Sequence, residues 1–269
     1  MKNSLKRISA LARLVVLDGL RRHALIGLVA LALGIEISGL FFFSFVPRDI
    51  GRMLADFVVT IGWSAGMVFL FFHAVQVMSW GEDRRVIHTL LARPLSRTEY
   101  VLGVFAGLLF LLLLLNALLG AIGYGVLALI KYWVGEVYFS RLGILEYLLS
   151  WAGVLSIQAM ILSVIVLFSG MIRGGFTVLL VTLSYYLICS GLPVAINFFQ
   201  GNSLLVKKFL VGLTLVFPNF TRFDYKGLIV ALGKWPEMSS LALNLAHVLL
   251  YCALVLTLAA GVYNRRDLK

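Results

Sequence analysis

The sequence predicts an all-α integral membrane protein: about six transmembrane helices with both termini on the cytoplasmic side, preceded by an amphipathic interfacial helix. Three observations lead there: long apolar runs, a shortage of charge, and basic residues that fall between the runs. Of 269 residues, 61% are hydrophobic and only 13% charged, and the mean hydropathy is +1.01. A water-soluble globule of this length leaves a large surface that charged side chains help to cover, and here that cover is missing. Lipid is the expected solvent.

Residues 1–23 form the first expected element. Leu5, Ile8, Ala12, Val15 and Val16 fall on one side of a helix, with Lys6, Arg7, Arg13, Asp18 and Arg21 largely opposite. This pattern predicts an in-plane helix with its basic face among anionic headgroups, although a charged start that only sets topology is the plainer alternative. The transmembrane domain then occupies 24–262, with spans near 24–46, 57–79, 101–130, 146–171, 176–200 and 241–262. Each is long enough to cross a hydrocarbon layer of roughly 30 Å at about 1.5 Å per residue. The first run is too long for a signal-peptide core and no small-x-small site closes it, so it is expected to stay in the mature protein. The third exceeds what a bilayer needs and should tilt or project. Residues 263–269 make a short cytoplasmic tail, and no soluble domain, internal repeat or low-complexity tract is evident.

Orientation follows from the basic residues. Arg7, Arg13, Arg21 and Arg22, then Arg84, Arg85, Arg93 and Arg97, then Arg173, then Arg265 and Arg266 fall on one side. The two short opposite connections hold only Arg48, Arg52, Lys131 and Arg141, so the first set is expected in the cytoplasm. Trp80, Tyr100 and Tyr263 at inner ends and Tyr132, Trp133, Tyr147 and Trp151 at outer ends fit the same frame. The outer loop 201–240 weakens the bias with Lys207, Lys208, Arg222, Lys226 and Lys234. Within it, 204–217 reads as a re-entrant or interfacial helix that Pro218 ends.

Several chemistries are excluded or disfavoured. The net charge of +11 sits between apolar runs and not on a soluble face, which argues for membrane orientation and against nucleic acid. Cys189 and Cys252 lie singly in apolar runs, no metal-ligand spacing is present, and the G-x-S-x-G and H-E-x-x-H signatures are missing. The segment Gly227–Lys234 has five residues between its glycines instead of four, and Trp235 stands where a magnesium-binding hydroxyl belongs. The chain is therefore not expected to hydrolyse ATP itself.

The most informative stretch is 81–100, between the second and third spans, GEDRRVIHTLLARPLSRTEY. Val86, Ile87, Leu90 and Leu91 recur at helical spacing inside a frame of both charge signs, which predicts a short helix with a face to bury over 81–93. Pro94 stops it, and Ser96 with Glu99 makes an S-x-x-E capping box that starts the third span. At Glu82, Thr89, Leu90, Leu91, Arg93, Pro94, Leu95, Ser96 and Arg97 the chain resembles permeases of the ABC type-2 exporter family. Phe-Pro-Asn-Phe at 217–220, followed by Phe223-Asp224, is similar to an outer-loop motif of one branch of that family, carried here by Pro218, Asn219 and Phe220. The resemblance implies a homodimer or heterodimer of permease subunits, each seated on a separate cytoplasmic ABC ATPase that holds ATP and magnesium. It implies that 81–93 is a coupling helix, with Glu82, Asp83, Arg84, Arg85, His88 and Arg93 facing the ATPase. A loop that only fixes topology is the bland alternative.

Inside the spans, Glu36 is unusual, because an unpaired carboxylate near the midplane is costly. Counted from the inner ends, Glu36 lies roughly 17 Å deep, Asn116, Gln158, Ser190 and His247 about 20 to 22 Å, and His73 about 9 Å. Glu36, Asn116, Gln158 and His247 are thus candidates for a polar translocation path, or for interhelical glue. Gly62 with Gly66 and Gly103 with Gly107 are small-xxx-small spacings assigned to packing. Two rival functions stay open: a membrane-embedded lipid-modifying enzyme using Glu36, His73 or His247, and a non-transporting assembly or sensor subunit.

Overall fold

The computed structural model describes residues 2–21, 24–42, 50–83, 96–135, 139, 142–198, 204–214, 216–229 and 235–265, and every regular element among them is helical. In chain order these are α1 (Lys2–Arg21), α2 (Ala24–Phe42), α3 (Ile50–Val68), a π-helical stretch Phe69–Ala74 and α4 (Val75–Asp83). Then come α5 (Arg97–Val134), α6 (Ile144–Met171), α7 (Gly175–Phe198), α8 (Leu204–Leu213), two 3-10 turns at Phe220–Phe223 and Lys226–Leu228, and α9 (Met238–Arg265). Five helices are long and apolar enough to cross a membrane: Ile50–Ser79, Arg97–Trp133, Ile144–Met171, Gly175–Phe198 and Met238–Arg265. The first apolar run forms the 19-residue α2, whose stretch Ile26–Ile37 is apolar throughout except for Glu36.

The helices outrun the hydropathy pattern. The second run was expected over 57–79, yet its helix extends from Ile50 through the π stretch to Asp83. The third begins at Arg97 instead of 101 and ends at Val134 instead of 130. A helix satisfies its own backbone in water as well as in lipid, so hydropathy marks only the part that needs apolar surroundings.

Contacts between named residues define two ends of the bundle. At the proximal end, Tyr100 lies 6.2 Å from Tyr263 between ring centroids, Gly170 packs on Tyr263, and Gly175 packs on Ser79. At the distal end, the Tyr147 hydroxyl donates to the Gly120 carbonyl at 2.7 Å. Helices α5, α6 and α7 therefore run alternately up and down, and the buried core follows α5 and α6 through Leu108, Leu111, Leu115, Ile161 and Ile165.

Glycines set the closest approaches. Trp151 of α6 is wedged between Gly62 of α3, where an added Cβ would come within 2.1 Å of the indole, and Gly120 of α5. Gly66 lies against the Gln158 amide, and a Cβ there would sit 1.9 Å from its nitrogen. Gly103 and Gly107 receive α1: Leu11 packs at Gly103, Ala12 and Val15 at Gly107, and Leu111 meets Gly19. Both spacings pack helices, as expected.

That last set corrects the picture of α1. Nine residues of α1, Leu11 to Gly19, keep step with nine of α5, Gly103 to Leu111. Two helices that crossed steeply would separate over that length, which is about 12 Å on each. Helix α1 thus lies lengthwise on the proximal part of α5, pointing the same way. The stripe centred on Leu11, 6% exposed, is covered by protein where lipid was expected, because Gly103 and Gly107 open a groove that admits it. Leu5 and Leu14 remain on the outside.

Candidate functional site

At the proximal end, the expected coupling segment begins inside a helix. Gly81, Glu82 and Asp83 form the last turn of α4, while Arg84, Arg85, His88 and Arg93 lie outside the described residues. The chain is described again at Ser96, and the predicted capping box is present. The Ser96 hydroxyl accepts from the Glu99 N–H at 3.2 Å, and the Glu99 carboxylate accepts from the Ser96 N–H at 3.0 Å. Glu99 also accepts a hydrogen bond from the Ser4 hydroxyl and lies 3.8 Å from the Arg7 guanidinium, both on α1. Arg97 reaches the other way and donates to the carbonyls of Tyr263 at 2.9 Å and Asn264 at 3.1 Å, in the last turn of α9. One turn of α5 therefore ties together the first and last helices.

Sequence reasoning used Arg97 for orientation and as part of a motif, and missed this role. A signal was available: a cation is unfavourable in the first turn of its own helix and favourable at the C-terminal carbonyls of another.

Two of the predicted polar residues meet in mid-bundle. The Asn116 amide donates to the Gln158 side-chain oxygen at 2.7 Å and to the Leu112 carbonyl at 2.8 Å, and the Gln158 amide donates to the Trp63 carbonyl at 3.4 Å. This clasp joins α3, α5 and α6, and Gln158 is fully buried. Glu36 stands elsewhere. It is 3% exposed, and neither carboxyl oxygen has a hydrogen-bond partner among the described residues. His247 is also separate: on α9 it stacks between Phe223 at 6.5 Å and Tyr251 at 6.4 Å.

Phe223 belongs to a segment that folds back into the bundle. After α8 and the buried Pro218, the Asn219 side-chain oxygen accepts from the Thr221 N–H at 3.0 Å and the Thr221 hydroxyl at 2.7 Å, capping the turn Phe220–Phe223. Phe220 and Phe223 are buried. The Ser150 hydroxyl donates to the Tyr225 carbonyl at 2.9 Å, and the Asn244 amide donates to the Tyr225 hydroxyl at 2.9 Å and the Arg222 carbonyl at 3.3 Å. Gly153 makes this possible, since a Cβ there would sit 2.1 Å from the Phe223 carbonyl oxygen. Gly153 lies about 14 Å inside the distal end of α6. The re-entrant piece is thus 217–229, following the expected 204–217.

The chain matches no family model, and no curated protein is similar to it. The geometry must speak for itself. Among the described residues no three His, Cys, Asp or Glu side chains gather as a metal site, and Glu36, His73 and His247 occupy three different parts of the bundle. The described polar groups join helices to one another.

Proposed function

We propose that the chain is the membrane permease subunit of an ATP-binding-cassette exporter, driven by a separate cytoplasmic ATPase that carries the nucleotide and magnesium. In this reading α2 completes a set of six spans, both termini are cytoplasmic, the protein resides in the inner (plasma) membrane, and two such subunits form the working dimer.

The observation that carries the reading is the clamp that follows the Arg-Pro-Leu-Ser-Arg motif. The 84–95 segment connects the end of α4 to Ser96, beside Arg97 and Glu99. A push on that segment enters α4 and α5 directly. Through Glu99 it reaches α1, and through Arg97 it reaches α9. A loop that only fixes topology has no use for four helices bound at its base. Charged groups at 82–93 supply the strong, directional contacts that a docking surface for an ATPase requires.

The test is reconstitution in vesicles with the ATPase encoded beside this chain. Glu82→Lys and Arg85→Glu are expected to weaken co-purification or lower ATP turnover by about tenfold, the effect of losing roughly 1.4 kcal/mol of interface contact. Assembly and turnover equal to the unaltered protein in both variants would overturn the reading.

A further inference from the structure

A cleft of about 250 Å³ lies between α3, α6 and α7, roofed by the re-entrant segment. Its walls are arranged in two tiers. The lower tier is Trp63, Val154, Ile157, Tyr186 and Phe220. Its level is fixed by the Trp63 carbonyl, which is bonded to Gln158, the neighbour of Ile157. Trp63 and Tyr186 stand 5.9 Å apart between ring centroids, and Tyr186 stacks on Phe220 at 6.1 Å. The upper tier is polar: Thr60 and Ser190 lie one turn distal of Trp63 and Tyr186, and Ser150 is bonded to Tyr225. Thr221 and the Asp224–Lys226 pair, 3.8 Å apart, complete it. Thr60 and Trp63 on α3, and Tyr186 and Ser190 on α7, set the two levels about 5 Å apart.

We propose that this cleft binds a small, uncharged, ring-bearing amphiphile, with its ring in the lower tier and its hydrogen-bonding head among the upper hydroxyls. Each attribute has its own ground. Aromatic side chains at the closed end favour a ring by stacking and edge contacts. The one carboxylate and one ammonium at the mouth are paired with each other, so the site offers no net charge to an ion but several donors and acceptors to a hydroxyl or amide. The volume is below the roughly 300 to 1,000 Å³ of ordinary small-molecule sites, too small for a two-chain lipid or a peptide. The inference names a substrate class for the proposed exporter and rests on that reading for its role. Binding itself is measured without any ATPase, so failure of one leaves the other standing.

The experiment is photolabelling of the full chain in phosphatidylcholine nanodiscs with 4-benzoylbenzyl alcohol, mapped by peptide mass spectrometry. Saturable labelling is expected on 59–63, 186–190 and 220–226. Tyr186→Leu, which removes the ring wall, and Thr60→Trp, which fills the mouth, should each reduce it about five- to tenfold. Unchanged elution and thermal unfolding show that each variant is folded, and Ser190→Phe replaces Thr60→Trp if that variant is not. Labelling that rises linearly with probe and spreads over the outer face of α9 would overturn the proposal, as would saturable labelling indifferent to the variants. Displacement of the probe by dioctanoyl phosphatidylcholine would assign the cleft to a lipid headgroup and overturn the small-molecule occupant.

Discussion

Single positions in this bundle differ in what they contribute, and magnitudes separate them. The Asn116–Gln158 bond looks important because both residues are buried, yet interhelical hydrogen bonds in membranes average only about 0.6 kcal/mol. Gln158→Leu should cost about that much, rising to about 1.7 kcal/mol at most, measured by denaturant unfolding in bicelles. Gly153→Ala should cost more, about 1 to 3 kcal/mol, because the new methyl meets a backbone oxygen that cannot rotate away. The same substitution should raise cysteine reactivity at an introduced Tyr225→Cys as the re-entrant segment lifts, while Gln158→Leu should leave that reactivity unchanged. Asn116 and Gln158 were legible as members of a polar band with Glu36 and His247, since polar residues stand out in an apolar run, but their pairing was not. Gly153 had no distinction in the sequence, because a glycine between Ala152 and Val154 acquires meaning only when another part of the chain arrives beside it.

At the scale of elements, α1 shows how a correct pattern can lead to an incomplete placement. Its helical periodicity and basic face are legible, but an apolar stripe does not say whether lipid or protein will cover it. The Gly103 and Gly107 groove decides the matter through a separation of about ninety residues, visible as a spacing yet silent about its guest. Gly107→Leu should therefore detach α1, since the longer side chain would run into the Ala12 carbonyl and Val15. Hydrogen exchange should rise across 2–21 while α6 and α9 keep their protection; equal exchange in variant and parent would contradict the lengthwise packing.

For the whole molecule, the five long spans were legible because each hides a long run of leucine, valine and isoleucine from water, and one-dimensional composition suffices for that. The re-entrant segment and the cleft were not, because both depend on where three distant stretches meet. Topology is the remaining whole-molecule expectation. With Cys189 and Cys252 replaced, single cysteines at 135 and 224 should react with an impermeant maleimide added to right-side-out vesicles, and cysteines at 88 and 265 should react only in inverted ones. The opposite labelling would reverse the orientation and remove the coupling segment from any cytoplasmic ATPase.

The Arg97 clasp has a consequence for synthesis. Its carbonyl partner at Tyr263 lies 166 residues further along the chain. At roughly 5 to 20 residues per second, on the order of ten seconds or more passes before the ribosome delivers that partner. During that interval the foot of α5 holds a guanidinium with neither carbonyl in place. Removing the turn of α9 that carries both carbonyls should therefore leave the base of the bundle unlatched.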